Sequence, residues 1–151
     1  MMARFAYHCA LRWSDMDAYG HVNNAKFLTF YEEARAALLF GHVNRAGVAT
    51  MERGVVIARH EIDYLRAVDY GTLPNRDNSS RQVRIELWID EIRAASFTMA
   101  YELFDNGDLA SRARSVVVPY DLIEGRPRRL TDDEQGFLLG WRDGPTDAGD
   151  R

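Results

Sequence analysis

Between Ala25 and Phe40 the chain has neither Gly nor Pro, and Phe27, Phe30, Tyr31, Ala34 and Leu38 recur at the spacing of one helix face. That pattern predicts one long helix over Ala25–Phe40. Leu28, Ala36, Ala37, Leu39 and Phe40 make its other faces apolar too, with polarity confined mainly to Glu32, Glu33 and Arg35. A helix apolar over most of its circumference is a buried one. Asn23 or Asn24 is expected to cap it, because a short side-chain oxygen accepts from the unpaired amides of a first turn. Gly41 is expected to end or kink it.

Elsewhere the period is two, or the runs are β-branched. Phe5–Trp13, Val55–Leu65, Val83–Ile89, Phe97–Phe104 and Ala113–Tyr120 each read as a strand. In the third, Val83, Ile85, Leu87 and Ile89 alternate with Arg84, Glu86, Trp88 and Asp90, so one face meets a core. Asp105-Asn106-Gly107-Asp108 is a strong hairpin signal. Tyr70–Arg81 reads as a long exposed loop, Thr131–Leu139 as a short terminal helix, and Gly140–Arg151 as a polar tail. The order strand, helix, four strands gives an α+β class in which a curved sheet covers a single buried helix. A ferredoxin-like fold would require a second helix of comparable length. The expected organisation is one domain over 1–139 and a tail over 140–151.

Composition narrows the function. The 151 residues are 46% hydrophobic and 28% charged, the balance of an ordinary globular domain. A net charge of −4 argues against bulk binding to nucleic acid. One cysteine, Cys9, excludes an intrachain disulfide and a Cys-based zinc framework, and within a strand it reads as a small buried residue. No apolar run approaches membrane-spanning length, and the first residues do not form a signal peptide. These features point to the cytoplasm and to no membrane partner.

Reactive side chains concentrate in the loop before the helix, Arg12-Trp13-Ser14-Asp15-Met16-Asp17-Ala18-Tyr19-Gly20-His21-Val22-Asn23-Asn24. Free amides at a helix start stabilise a carbonyl oxygen that gains negative charge, and a carboxylate just upstream is placed to act as base or nucleophile. No Ser/His/Asp triad with a nucleophile elbow is present.

The run Asp15-x-Asp17-x-x-Gly20-His21-Val22-Asn23-Asn24, followed by Phe27 and Tyr31-Glu32-Glu33-Ala34-Arg35, resembles the 4-hydroxybenzoyl-CoA thioesterase-like branch of the hotdog-fold acyl-CoA thioesterases. Asp63-Tyr64-Leu65-Arg66, Tyr70-Gly71 and Gly125-Arg126-Pro127 extend the resemblance along most of the chain, to about Leu139. It implies a five-stranded antiparallel sheet wrapped around one long central helix, and a homodimer, pairing again into a tetramer, with active sites at the dimer interface. It also implies hydrolysis of an acyl-CoA thioester to free acid and coenzyme A, without metal or organic cofactor. By the same resemblance Asp17 is the catalytic carboxylate and the Asn24 amide polarises the thioester carbonyl.

Around that pair, Gly20, His21, Val22, Asn23, Phe27 and Tyr31 are the expected substrate-binding positions. His21 is expected to position the loop by a hydrogen bond, Asn23 to cap the helix or meet the substrate, and Phe27 and Tyr31 to pack in the core first of all. Asp15 reads as structural, a turn-forming residue or the partner of an arginine such as Arg12, and Glu32 and Glu33 as partners of Arg35 or of a second copy. Arg66, Arg81, Arg84, Arg126, Arg128 and Arg129 are the candidates for coenzyme A phosphates. Two rival functions are a thioesterase acting on acyl carrier protein and a non-catalytic module that binds acyl thioesters.

Overall fold

The computed structural model describes residues 4–42, 54–71 and 81–143. Most of the expected Tyr70–Arg81 loop, the irregular stretch before Gly54, and the tail beyond 143 lie outside the described residues. The elements in order are β1 (Phe5–Ala10), a short 3₁₀ turn (Trp13–Asp15), α1 (Asn24–Ala36), β2 (Val55–Tyr64), β3 (Gln82–Ile92), β4 (Phe97–Asp105), β5 (Asp108–Asp121), β6 (Arg126–Pro127) and α2 (Asp132–Leu139).

All neighbouring strands are antiparallel, in the order β1-β3-β4-β5-β2, with the two-residue β6 added on β5. The five antiparallel strands are those expected, and β6 is an addition to them. Phe27, Phe30, Tyr31, Ala34 and Leu38 are all buried, as their spacing predicts. They share one core with Val83, Ile85, Leu87 and Ile89 of β3 and with Phe97, Met99, Tyr101 and Leu103 of β4. The sheet curls around α1.

Strand β3 runs three residues beyond its expected end, to Ile92, and three other boundaries differ from the sequence expectation for a local reason. The helix is regular only to Ala36 and continues as a wider π-helical turn over Ala37–His42, where the consecutive Leu38 and Leu39 are both buried. Strand β1 stops at Ala10, and the backbone turns where the Asp15 carboxylate accepts from the Arg12 amide at 2.8 Å. Strand β5 begins at Asp108, ahead of the apolar run that starts at Ala113. Asn106 and Gly107 both take positive φ, 51° and 84°, a turn that zips the hairpin from Asp105↔Asp108 onward whatever the polarity of the residues that follow.

The C-terminal end is tied down by charge. Helix α2 starts with a reciprocal cap between Thr131 and Glu134, and the fully buried Glu134 also receives both terminal nitrogens of Arg128, at 2.7 and 3.0 Å. Beyond α2, the Trp141 carbonyl accepts from the Ile89 amide at 2.9 Å, and the Trp141 ring meets Phe5 edge-on. Asp143 accepts from Arg4 at 2.6 Å. No helix among the described residues is long and apolar enough to cross a membrane.

Burial alone would raise the Glu134 pKa, but Arg128 and the Thr131 cap outweigh it and hold the carboxyl below its ordinary 4.5. A depressed folded-state pKa contributes stability that is fully present above 4.5 and is lost as pH falls through and below that value. Glu134→Gln leaves Arg128 without its counter-charge and should cost about 3 kcal/mol. Urea unfolding at pH 7 should show that loss, and the gap between variant and wild type should narrow at acid pH. An unchanged midpoint at pH 7 would contradict the assignment.

Candidate active site

The loop that leads into α1 is built on the Asp17 carboxylate. Its Oδ1 accepts from the Tyr19 amide at 2.8 Å and the His21 amide at 3.2 Å, folding the chain back on itself within four residues. The Gly20 amide closes the same turn on the Asp17 carbonyl, and the His21 carbonyl accepts from the Asp17 amide at 2.7 Å. This reversal needs φ of +77° at Gly20, a left-handed conformation that explains glycine there; the space around it is open. Asp17 Oδ2 has no partner among the described residues, and the side chain is half-buried. One oxygen therefore holds the loop, and the other is unbonded among the described residues.

Val22 then buries itself in the core and Asn23 caps α1, its side chain accepting from the Ala25 amide at 3.0 Å. The capping role expected for Asn23 is thus the one it fills. Asn24 is the first helical residue, where an amide has no intrahelical acceptor, and its N–H has none elsewhere among the described residues. Its carbonyl accepts from the Tyr64 hydroxyl of β2 at 2.8 Å, while the Tyr64 ring meets Phe27 edge-on, with centroids 5.1 Å apart. Strand β2 thereby fixes the helix start in position. A carboxylate oxygen and a backbone amide, both without a partner among the described residues, stand at the two ends of the connection from Asp17 to Asn24.

Two further supports hold the loop. Asp15 is fully buried, with its Oδ2 on the Arg12 amide, its Oδ1 on the Arg12 guanidinium at 3.0 Å, and its carbonyl on the Asn23 amide. The expected Arg12–Asp15 pair is present. On the other side the Val22 amide donates to the Val68 carbonyl at 2.7 Å and His21 bridges Asp69. Arg81 binds the Asp69 carbonyl at 2.9 Å and pairs with Asp105 at 2.6 Å.

Tyr64 and Arg81 are the supports that sequence reasoning missed. Tyr64 lies in the Asp63-Tyr64-Leu65-Arg66 run, which carried resemblance but no assigned role. Arg81 reads from the sequence as a phosphate ligand.

Of the remaining candidates, Phe27 and Tyr31 are buried in the core, and the Tyr31 hydroxyl donates to Ser111 at 2.7 Å; burial raises its pKa. His21 positions the loop through its backbone, and its imidazole is exposed, without a partner among the described residues. Five of the six arginines considered for phosphate binding are ion-paired: Arg66 with Asp108, Arg81 with Asp105, Arg84 with Glu86, Arg126 with Glu124 and Arg128 with Glu134. Arg129 has no carboxylate partner among the described residues. Cys9 is buried, and burial, with smaller contributions from Glu33 and Asp15, pushes its thiol up to about 11. It is not a nucleophile at neutral pH.

The same fold and chain length recur in known proteins. A predicted thioesterase from Bacillus stearothermophilus superposes with a TM-score of 0.78 at 27% identity, covering 95% of this chain and 100% of that one. A thioesterase from Thermus thermophilus, solved in complex with coenzyme A and Zn, gives 0.72 at 26% identity over 93% of this chain and 95% of that one. A 1,4-dihydroxy-2-naphthoyl-CoA thioesterase from Synechocystis shares the fold, with a TM-score of 0.71 at 18% identity, over 90% of this chain and 96% of that one. No protein of curated function matches the chain in sequence. The sequence profile of the thioesterase-like superfamily matches residues 11–138, from the end of β1 to the end of α2. The chain belongs to the thioesterase-like superfamily, has its hotdog fold, and is a thioester hydrolase.

Proposed function

We propose that the substrate is an acyl-CoA and that the reaction runs between Asp17 Oδ2 and the Asn24 amide. The observation that carries this reading is the pairing, among the described residues, of the unbonded oxygen of the loop carboxylate with the unbonded amide that opens the first helical turn. The Asn24 N–H, aided by the helix dipole, donates to the thioester oxygen as it becomes an oxyanion. Asp17 Oδ2 takes a proton from water as the hydroxyl oxygen attacks the carbonyl carbon, or attacks that carbon itself to give a mixed anhydride that water then opens. In both routes the C–S bond breaks, the thiolate leaves with coenzyme A, and the carboxylic acid is released. The reaction requires only the protein, the substrate and water. A fold relative that binds coenzyme A supports the choice of carrier.

We also propose that two copies join along β2 to form the working unit. Strand β2 is ten residues long, lies at the end of the sheet, and is exposed over most of its length. Such an edge offers a row of unpaired N–H and C=O groups that a second strand can satisfy. Light scattering at micromolar concentration should therefore show a dimer or tetramer, and a monomer would contradict an interface site.

The reading is tested by thiol release from short-, medium-, long-chain and aromatic acyl-CoAs, with Asp17→Asn alongside. The asparagine keeps an acceptor for the Tyr19 and His21 amides but is neither a base nor a nucleophile. Turnover by wild type should fall at least about a hundredfold in the variant, with the thermal midpoint nearly unchanged. Full turnover by a folded Asp17→Asn, or thiol release from carrier-protein thioesters alone, would overturn it.

A further inference from the structure

A buried cation lies on the sheet-facing side of α1 with no closely matched anion among the described residues. Arg35 is only 8% exposed, and its Nη1 donates to the neutral Tyr101 hydroxyl at 3.1 Å. The carboxylate that reaches it is that of Glu32, 3.9 Å from Nη2, on a side chain 75% exposed. Other sheltered arginines of this chain are matched far more closely: Arg128 meets Glu134 at 2.7 Å, Arg81 meets Asp105 at 2.6 Å, and Arg4 meets Glu102 and Asp143 at 2.6 Å. A guanidinium withdrawn from water needs a close anion to offset its lost hydration, and a loose pair with an exposed side chain supplies little.

The surroundings are shaped like a receptor. A cavity of about 270 Å³ lies between α1 and β2, with apolar walls from Leu39, Phe40, Val55 and Ile57 and with Arg35 and Glu32 as its charged groups. His60 of β2 stands nearby, its Nδ1 2.7 Å from Ser115 Oγ. Burial, and then the charge of Arg35, lower its pKa against a smaller opposing pull from Glu32, which disfavours a second cation beside the guanidinium. A cavity with apolar walls and a planar cationic fork in its lining fits the end of a hydrocarbon chain that terminates in a carboxylate, held by two parallel N–H bonds.

We infer that this cavity receives the far end of the acyl group and that Arg35 binds a terminal carboxylate there, so that the preferred substrates are thioesters of dicarboxylic acids. The inference deepens the acyl-CoA reading above and rests on it. Arg35 lies eleven residues beyond Asn24, about 16 Å along the helix axis, so chain length enters the test directly. Glu32 acts as the resting counter-ion that the substrate carboxylate displaces.

The test compares non-hydrolysable thioether analogues of glutaryl-, adipyl-, suberyl- and dodecanedioyl-CoA with methyl-ended analogues of the same lengths, by calorimetry on the whole protein. Thiol release from the corresponding thioesters is measured in parallel. At one or more lengths the carboxyl-ended analogue should bind at least about tenfold tighter. Arg35→Met should bring that ratio to near one, and Glu32→Gln should raise it. Equal affinities at every length, a preference that survives Arg35→Met, or a ratio unmoved by Glu32→Gln would overturn the inference. So would an Arg35→Met protein whose only defect is loss of the oligomer, which would assign the guanidinium to the interface. If Arg35→Met does not fold, Glu32→Gln and Arg35→Lys decide the matter, the lysine keeping charge but losing the fork and hence part of the preference. A binding preference without thiol release would uphold the subsite and sink the hydrolase mechanism, and thiol release without a preference would do the reverse.

Discussion

The architecture around the candidate site depends on one carboxylate oxygen. Asp17 Oδ1 gathers two backbone amides into a tight reversal, and that reversal leaves Oδ2 unbonded while aiming the chain into the start of α1. Without it the loop loses the bonds that set the distance between carboxylate and helix. The positive φ of Gly20, the Asn23 cap and the burial of Val22 are all consequences of bringing a polar loop and an apolar helix together within a few residues. Side chains on a short loop are held accurately only when rigid elements brace the loop, and here three do so. Asp15 braces it through Arg12, the segment carrying Val68 and Asp69 braces it from another side, and Tyr64 braces the helix start from β2.

That bracing requires the curled sheet. Helix α1 buries one face, through Phe27, Phe30, Tyr31 and Ala34, while Thr29, Glu32 and Glu33 stay exposed, so the wholly buried helix expected from the sequence is not what forms. The sheet bends around the apolar face, and the bend brings β2 back against the beginning of the same helix. Packing and chemistry are therefore linked by geometry: Phe27 serves the core, yet its contact with Tyr64 also helps fix the Asn24 carbonyl, and with it the helix start that carries the Asn24 amide. The polar groups between α1 and the sheet, Tyr31 with Ser111 and Arg35 with Tyr101, show that this interface is not purely apolar. The first pair is satisfied internally. The second leaves the Arg35 charge only loosely paired, with the exposed Glu32 at 3.9 Å, and that imbalance is the ground for placing a ligand there.

How much of this could be read beforehand followed the range of the interactions. The helix, the hairpin at Asn106-Gly107 and the alternation of β3 are local patterns, and each is found at its expected place, the helix with its last turns widened after Ala36. Burial of Phe27 and Tyr31 was readable from the same periodicity. Strand β5 begins earlier than its apolar run because the turn, not side-chain polarity, sets where pairing starts. The Asp17 loop was recognisable as a motif through the family resemblance, which also left Asp15 a structural role, as turn former or partner of Arg12, and in the structure it is both. Tyr64 on Asn24 and Arg81 on Asp69 escaped the sequence because each joins segments well separated along the chain. At His21 the residue was legible but the working part was not: its backbone holds the loop, and its imidazole stands exposed.

The central claim is that a single backbone N–H at the start of α1 stabilises the oxyanion, and it can be tested by deleting that N–H alone. Position Asn24 is the first helical residue, where proline fits, and Asn23 before it already has φ −57° and ψ 135°, an extended conformation that a following proline accepts. The decisive measurement is kcat for Asn24→Pro against Asn24→Ala, which keeps the amide, using the best acyl-CoA substrate. The account predicts that the proline variant folds with a similar thermal midpoint and loses about a hundredfold in kcat relative to the alanine variant, with KM little changed. Equal kcat for the two folded variants would contradict it.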